Sequence, residues 1–86
     1  MAGLTVNLVS ADQEIWTGEA VQVTARTTEG EIGILAGHEP LLAILASGQV
    51  RVKLADGTFV EANAADGFLS VENDAVSIVA REASLA

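Results

Sequence analysis

The sequence contains no cysteine, no tyrosine and a single proline, and aromatic residues make up only 3% of it. Without cysteine, neither disulfide bonds nor thiolate metal sites can form. Scarce aromatics speak against stacking platforms for nucleic-acid bases or sugars. Cations are also few, with four lysines and arginines against twelve aspartates and glutamates and a formal net charge of −8. Because nucleic-acid phosphates are bound by clustered cations, this balance speaks against a nucleic-acid partner.

The length of 86 residues suits one compact domain, and we expect it to span residues 1–86. No apolar run approaches the roughly 20 residues that a membrane-spanning helix needs. The opening residues Met1–Leu4 lack the basic and apolar segments of a secretory signal. We therefore expect a soluble cytoplasmic domain, with any membrane role a peripheral one.

The dominant pattern is a series of short alternating runs, separated by Gly, Asp and Asn at intervals of roughly 8–12 residues, which is typical of an all-β sandwich or barrel. Leu4–Leu8 alternates apolar and polar residues and predicts a first strand. Thr17-Gly18 is interpreted as a turn. The apolar run Leu41–Ala46 follows Pro40, as the first turn of a helix would. It is too short for a typical helix, so we interpret it as a buried strand.

Two hairpin registers are predicted from the apolar pattern. Asn73-Asp74 suits a two-residue turn, because both residue types tolerate a positive φ. That turn pairs Val71 with Val76, Leu69 with Ile78, Ser70 with Ser77 and Phe68 with Val79. A three-residue loop, Ala55–Gly57 with Gly57 left-handed, keeps apolar residues on one face. It pairs Val52 with Val60, Val50 with Ala62 and Arg51 with Glu61.

Few residues could support catalysis or a cofactor. His38 is the only histidine, which excludes a multi-histidine metal site, and no serine lies in a nucleophile elbow. The carboxylates Glu29, Glu31 and Glu39 do not have the spacing of a calcium loop and fit a solvated acidic loop better. Lys53 could carry biotin or lipoate, as in small β-rich carrier modules, but it precedes the predicted hairpin tip and lacks the usual neighbours.

The most informative run is Gly30-Glu31-Ile32-Gly33-Ile34-Leu35-Ala36-Gly37-His38-Glu39-Pro40-Leu41-Leu42. Its glycine spacing fits neither the dinucleotide fingerprint nor the P-loop. It resembles a segment of the epsilon subunit of F-type ATP synthases, whose pattern is Gly-x-Ile/Leu-Gly-Ile/Leu, three residues, His-x-Pro and two aliphatic residues. Trp16-Thr17-Gly18 and Gly67–Val71 resemble the family's first and last hairpins. The resemblance covers nearly the whole chain.

The resemblance implies a two-sheet β-sandwich of about ten short strands. It also implies a non-catalytic rotor subunit of the central stalk, which links the gamma subunit to the c-subunit ring on the cytoplasmic side of the bacterial plasma membrane. No cofactor is expected. The implied ring-facing residues are Glu29, Gly30 and Glu31. The implied gamma-facing residues are Ser10, His38, Leu42 and Ala43, and we expect Phe68 and Val79 to join them on an outer sheet face. A carrier module modified on Lys53 is the alternative.

Two departures from the family pattern stand out. Ala36 occupies a position where many members have proline. Longer members continue into a pair of C-terminal helices that inhibit ATP hydrolysis or bind ATP. This sequence ends at Ala86, just after the last predicted strand. We expect an actinobacterial-like short form or a truncation without the helical hairpin, to which inhibition and nucleotide binding do not carry over.

Overall fold

The computed structural model describes residues 3–11 and 13–85, and these form β-strands with no helix. No helix that could cross a membrane occurs in this part of the chain. The ends of the expected domain, at residues 1 and 86, lie outside the described residues. The strands are β1 (Leu4–Ser10), β2 (Glu14–Ala20), β3 (Gln22–Thr27), β4 (Gly30–Leu35), β5 (Leu41–Ile44), β6 (Gly48–Lys53), β7 (Phe59–Glu72) and β8 (Ala75–Leu85). The all-β prediction is confirmed.

The strands form two layers because β7 and β8 are long enough to pass through both. Hydrogen bonding connects them in the order β2-β1-β8-β7-β6-β3-β4, with β5 also on β7. The front layer consists of β2, β1, the first half of β8, the second half of β7, and β5. The back layer consists of β4, β3, β6, the first half of β7 and the second half of β8. The expected β-sandwich is confirmed, but eight strands build it instead of about ten short ones, and hydrogen bonds join them into one continuous sheet.

A single apolar core lies between the layers. Alternate residues of the strands point inward, as in Leu4, Val6 and Leu8 of β1, which are at most 1% exposed. Ile34 from the back layer and Leu69 and Ile78 from the front layer are fully buried in the same cluster. Because both layers contribute to one core, the sandwich is held together by burial of its inner faces.

Both predicted hairpin registers are confirmed. Asn73 and Asp74 have φ of 50° and 63°, and Val71 lies opposite Val76. In the other hairpin Val52 lies opposite Val60, and Gly57 has a φ of 90°.

Asp56 closes the Ala55–Gly57 loop. Its carboxylate accepts hydrogen bonds from the backbone N–H and the hydroxyl of Thr58, at 2.9 and 2.6 Å. The hydroxyl bond, followed by the backbone bond, lowers the pKa of Asp56 below its ordinary value. The loop is therefore stabilised by the ionised aspartate as well as by the glycine.

A corner in β7, where the chain passes between layers, depends on close backbone approach. Asp66 has a φ of 60°, and a Cβ on the next residue, Gly67, would overlap the carbonyl oxygen of Val79 and lie 2.6 Å from the Cα of Ala80. No side chain fits there. Gly67 therefore allows β7 and β8 to stay paired as both strands bend.

The predicted turn at Thr17-Gly18 is wrong, because both residues lie inside β2. The indole of Trp16 covers Gly18, where an added Cβ would lie 2.8 Å from ring atoms. Gly18 thus makes room for the indole ring within a strand and does not form a turn. The chain reverses earlier, where the amide of Ser10 donates to the carbonyl of Gln13 at 2.8 Å.

The run Leu41–Ala46 contains a strand, as predicted, but it is not buried on both sides. Leu41–Ile44 forms β5, and its side chains alternate between half-buried and exposed. Leu42 is 68% and Ile44 57% exposed. One face of this apolar strand therefore points to solvent.

We expect Gly67→Ala to destabilise the domain by at least about 2 kcal/mol, because the new methyl group would force β7 and β8 apart. Gly33→Ala is the matched control, since Gly33 is exposed and an added Cβ would meet only the Gln22 side chain at 3.6 Å. It should change the free energy of unfolding by less than about 1 kcal/mol. Urea unfolding followed by the fluorescence of Trp16 measures both. Equal stabilities of the two variants would contradict the role of Gly67.

Candidate partner-binding surfaces

The outer face of the front layer carries a continuous apolar row. Ile44 lies opposite Phe68, Phe68 opposite Val79, and Val79 opposite Val9. The row crosses β5, β7, β8 and β1, and neighbouring strands are about 4.8 Å apart, so adjacent side chains are in contact range. Phe68 is 40% and Ile44 57% exposed. We call these four residues the front row.

The residues beside the front row leave it accessible. Leu42 lies opposite Ser70, and Ser70 opposite Ser77, so that one large apolar side chain is followed by two small polar ones. The outer-face positions of Thr5–Val9, Leu42–Ile44, Phe68–Ser70 and Ala75–Val79 carry no lysine or arginine, and the next cation along β8 is Arg81, two residues beyond Val79. An exposed apolar surface without cations is suited to burial by a protein partner.

The outer face of the back layer is different, because its exposed aromatic ring already has a partner. Arg51 donates to Glu61 at 3.1 Å, and its guanidinium lies 4.3 Å from the ring centroid of Phe59. The register also places Lys53 opposite Phe59 on this face. Phe59 is 47% exposed, as open as Phe68, but it lies among charged side chains. Phe59 on the back face and Phe68 on the front face are therefore similarly exposed phenylalanines in a charged and an apolar setting.

Two of the residues expected to face gamma point inward. Ala43 lies opposite the fully buried Leu69, so its side chain is on the other side of β5 from Leu42. Ser10 is 7% exposed, and its hydroxyl donates to the carbonyl of Gln13 at 3.2 Å. Ser10 also lines an open groove of about 550 Å³ beside Arg81. Neither side chain belongs to the front row.

Two residues of the front row, Ile44 and Val9, were missed by the sequence reasoning. The usable signal for Ile44 was alternation within β5, which puts it on the same face as Leu42. Val9 required the parallel pairing of β1 with β8, which sequence pattern alone does not reveal.

A second surface is the acidic tip, which we define as Glu29, Gly30 and Glu31. All three are exposed at the turn between β3 and β4. Thr27 shapes this turn, because its hydroxyl donates to the Gly30 carbonyl at 2.7 Å and accepts from the Glu29 N–H at 3.2 Å. Gly30 has a φ of 116°, which favours glycine.

The acidic tip carries charge that no ion pair neutralises among residues 3–11 and 13–85. Arg26 lies opposite Glu31 across the hairpin, yet the one ion pair among the described residues joins Arg51 to Glu61. Behind the tip is a cavity of about 350 Å³, lined by the hairpin and by β5. The tip thus presents two free carboxylates at the mouth of a small cavity. This arrangement suits a partner that supplies cations or N–H donors.

His38 lies in the loop between β4 and β5, which we call the 36–40 loop. The histidine is half-buried, and its Nδ1 is 2.7 Å from the Glu39 carbonyl oxygen. Its backbone N–H donates to the Leu35 carbonyl at 3.2 Å. Because β4 separates the 36–40 loop from the acidic tip, the two lie at opposite ends of a strand about 17 Å long.

The residues considered for other chemistry are not brought together. Lys53 lies within β6, paired with both β3 and β7, and the tip of its hairpin is formed by Ala55–Gly57. That position differs from the hairpin-tip lysine of a carrier module. Across residues 3–11 and 13–85, no group of three acidic or histidine side chains has the geometry to hold a metal ion.

Comparison with known proteins decides the family. A family model described as the β-sandwich domain of the ATP synthase delta/epsilon chain matches residues 3–86. The chain belongs to this family. Membership explains the Gly30–Leu42 motif and confirms the resemblance seen in the sequence.

The delta/epsilon family includes close relatives along almost the whole chain. The ATP synthase epsilon chain of Micrococcus luteus is 52% identical over 85 residues, which cover 99% of this chain and 93% of that protein. The ATP synthase epsilon chain of Streptomyces coelicolor is 48% identical over 84 residues, covering 98% of this chain and 68% of that protein. These organisms are actinobacteria, in agreement with the resemblance.

Solved structures have the same fold. A chain in the cryo-EM structure of Euglena gracilis mitochondrial ATP synthase (OSCP/F1/c-ring, rotational state 1) matches with a TM-score of 0.92 at 32% identity, over 99% of this chain and 54% of that one. A chain in the central stalk/c-ring of Tetrahymena thermophila mitochondrial ATP synthase matches with a TM-score of 0.72 at 19% identity. The match covers 93% of this chain and 64% of that one. The second likeness concerns the fold alone. The chain spans about half to two thirds of these structural neighbours.

Proposed function

We propose that the chain is an epsilon-type subunit of a proton-translocating F-type ATP synthase, which joins the gamma subunit to the c-subunit ring in the central stalk. The observation that carries this proposal is family membership over residues 3–86. Relatives that bear the name ATP synthase epsilon chain support it. The whole of residues 1–86 acts as one domain in this role.

Gamma covers the front row. The front row contains no cation, and its apolar residues are exposed (Ile44, Phe68) or half-buried (Val9, Val79), as suits the centre of a protein interface. Phe68 and Val79 lie side by side at its middle, and Leu42 adds an exposed side chain at its edge. His38 contributes from the 36–40 loop. Ser10 and Ala43 support the interface from the inner side instead of through direct side-chain contact.

The c-ring binds the acidic tip. Glu29 and Glu31 have no ion-pair partner among the described residues, and a glycine with positive φ lies between them. The ring loops supply N–H donors or cationic side chains to these carboxylates. The tip and the 36–40 loop lie at opposite ends of β4, whereas Leu42 and Ile44 line the same cavity as the tip, so the two partners meet along β5.

The domain transmits force without catalysing a reaction. Strands β7 and β8 run through both layers and are paired on each side of the corner, so a load applied to the front face reaches the back layer through two continuous strands. A close-packed core deforms little under such a load. The subunit has no active site of its own in this proposal, and it sits peripherally on the cytoplasmic side of the bacterial plasma membrane as part of the complex.

We expect Phe68→Asp to fold normally, because Phe68 is 40% exposed, and to lose affinity for gamma. An unpaired carboxylate buried in an apolar interface costs about 2–4 kcal/mol, which corresponds to a Kd at least about 30-fold weaker. Co-purification and calorimetry with isolated gamma measure the change.

The matched control for this experiment is Phe59→Asp, which places the same charge at an equally exposed phenylalanine on the back layer. It should bind gamma within about twofold of the wild-type chain, since rim or uninvolved positions contribute little. If Phe68→Asp folds and still binds gamma normally, the front row is not the gamma-binding surface.

The paired substitution Glu29→Gln and Glu31→Gln should weaken attachment to the c-ring. Each exposed charge pair contributes about 0.2–1 kcal/mol, so we expect the loss of both pairs to weaken attachment by about twofold to thirtyfold at low salt. Retention on an immobilised gamma–ring complex across a series of salt concentrations provides the measurement. The difference in retention between the double variant and the wild-type chain should become smaller as the salt concentration rises.

Glu14→Gln with Glu19→Gln is the control pair, because these exposed residues lie on β2 at the opposite edge of the front layer. The control removes the same charge from the chain. Equal losses in the two pairs would mean that net charge, and not the acidic tip, governs attachment.

A further inference from the structure

The 36–40 loop is anchored to the rest of the domain at one point. Its local bonds are the turn from His38 back to Leu35, the last residue of β4 beside the loop, and the contact of the His38 ring with the Glu39 carbonyl. Beyond these neighbours, the loop has one further attachment. Among the hydrogen bonds of residues 3–11 and 13–85, only one joins this loop to another part of the chain. It runs from the backbone N–H of Gly37 to the carboxylate of Asp74, at 2.7 Å.

Asp74 is well suited to be an anchor because its own backbone is fixed from two sides. It is the second residue of the two-residue turn between β7 and β8, with a φ of 63°. Its carbonyl oxygen accepts from the N–H of Thr5 at 2.9 Å, at the start of β1. One residue thus connects the first strand, the last hairpin and the 36–40 loop.

The bond that Asp74 makes to Gly37 determines where His38 can lie. A charged acceptor gives a shorter and stronger bond than a neutral one. Gly37 has a φ of 85°, and an added Cβ would meet no atom, so glycine is needed there for conformation and not for space. With Gly37 held, the turn that follows sets the position of His38.

We propose that Asp74 is a positioning residue, which holds the 36–40 loop in its partner-binding arrangement before gamma arrives. The inference rests on the proposed function, in which His38 contacts gamma. A loop that is ordered in the free domain loses less conformational freedom on binding, and so binds more tightly. Sequence reasoning assigned Asp74 only to a turn.

The role of Asp74 is tested by substitutions in the Asn73-Asp74 turn, which can accept glycine. Asp74→Gly keeps the backbone conformation, since glycine is favoured at this position of such turns, and removes the carboxylate. Asp74→Asn keeps an oxygen acceptor, and Asn73→Gly changes the adjacent residue without touching the bond. Amide hydrogen exchange of Gly37 is measured by NMR in the isolated domain. We expect exchange at least about tenfold faster in Asp74→Gly and nearly unchanged rates in the other two variants.

Affinity for gamma is measured on the same three variants. Asp74→Gly should bind about fivefold to tenfold more weakly, and Asp74→Asn should restore most of the affinity. An unchanged Gly37 exchange rate in Asp74→Gly would overturn the anchor itself. Faster exchange with wild-type affinity would overturn the role in binding.

Phe68→Asp, measured in parallel, separates this inference from the proposed function. If Phe68→Asp loses affinity while Asp74→Gly does not, only the inference about Asp74 fails. If neither variant differs from a wild-type chain that binds gamma, the front row is not the gamma-binding surface and the inference about Asp74 fails as well. If the wild-type chain does not bind gamma, the proposed function itself fails.

Discussion

The close contact of β7 with β8 at Gly67 is the constraint on which the rest of the structure depends. At this corner the two strands pass from one layer to the other while remaining paired, and a Cβ at Gly67 would lie 2.6 Å from the Cα of Ala80. The same corner aligns the partner strands. Leu41 lies opposite Val71 and Gly48 opposite Ala64, so β5 and β6 follow β7 in one continuous register on either side of the bend. The corner therefore fixes both layers relative to each other.

The geometry of the proposed binding surfaces follows from this corner. Because β5 pairs with the second half of β7, its outward residues extend the row that begins at Val9 and Val79. The end of β5 also meets the β3–β4 hairpin, where the N–H of Thr28 donates to the Ile44 carbonyl at 3.0 Å. The acidic tip and the apolar face are thus attached to the same short strand. A domain that couples two partners needs such a rigid connection between its surfaces.

Much of the fold could be predicted because it depends on local signals. The turn at Asn73-Asp74 and the loop Ala55–Gly57 each left one register that keeps apolar residues on one face, and both registers are correct. The turn predicted at Thr17-Gly18 failed because a glycine that makes room for an indole looks the same in sequence as a glycine in a turn. The corner was also missed, although the alternation changes phase there: the buried residues are Ala62 and Ala64 before Gly67, and Leu69 and Val71 after it.

The surfaces were predictable only in part. The family motif located the acidic tip and His38, but placing Ser10 and Ala43 required knowing which way each strand faces. The apolar run Leu41–Ala46 predicts a buried strand, but β5 is only half-buried on one face and exposed on the other. One of those sides is open in the isolated chain, which is what a strand covered by a partner subunit would show.

The claim that gamma covers the front row is tested most directly by the accessibility of introduced cysteines. The chain contains no cysteine, so any introduced thiol is unique. Phe68→Cys and Phe59→Cys place one thiol on the front and one on the back layer. On addition of gamma, the rate of maleimide labelling at position 68 should fall by about tenfold or more, as at a closely packed interface, while the rate at position 59 stays nearly constant. Protection at position 59 with free labelling at position 68 would contradict the account.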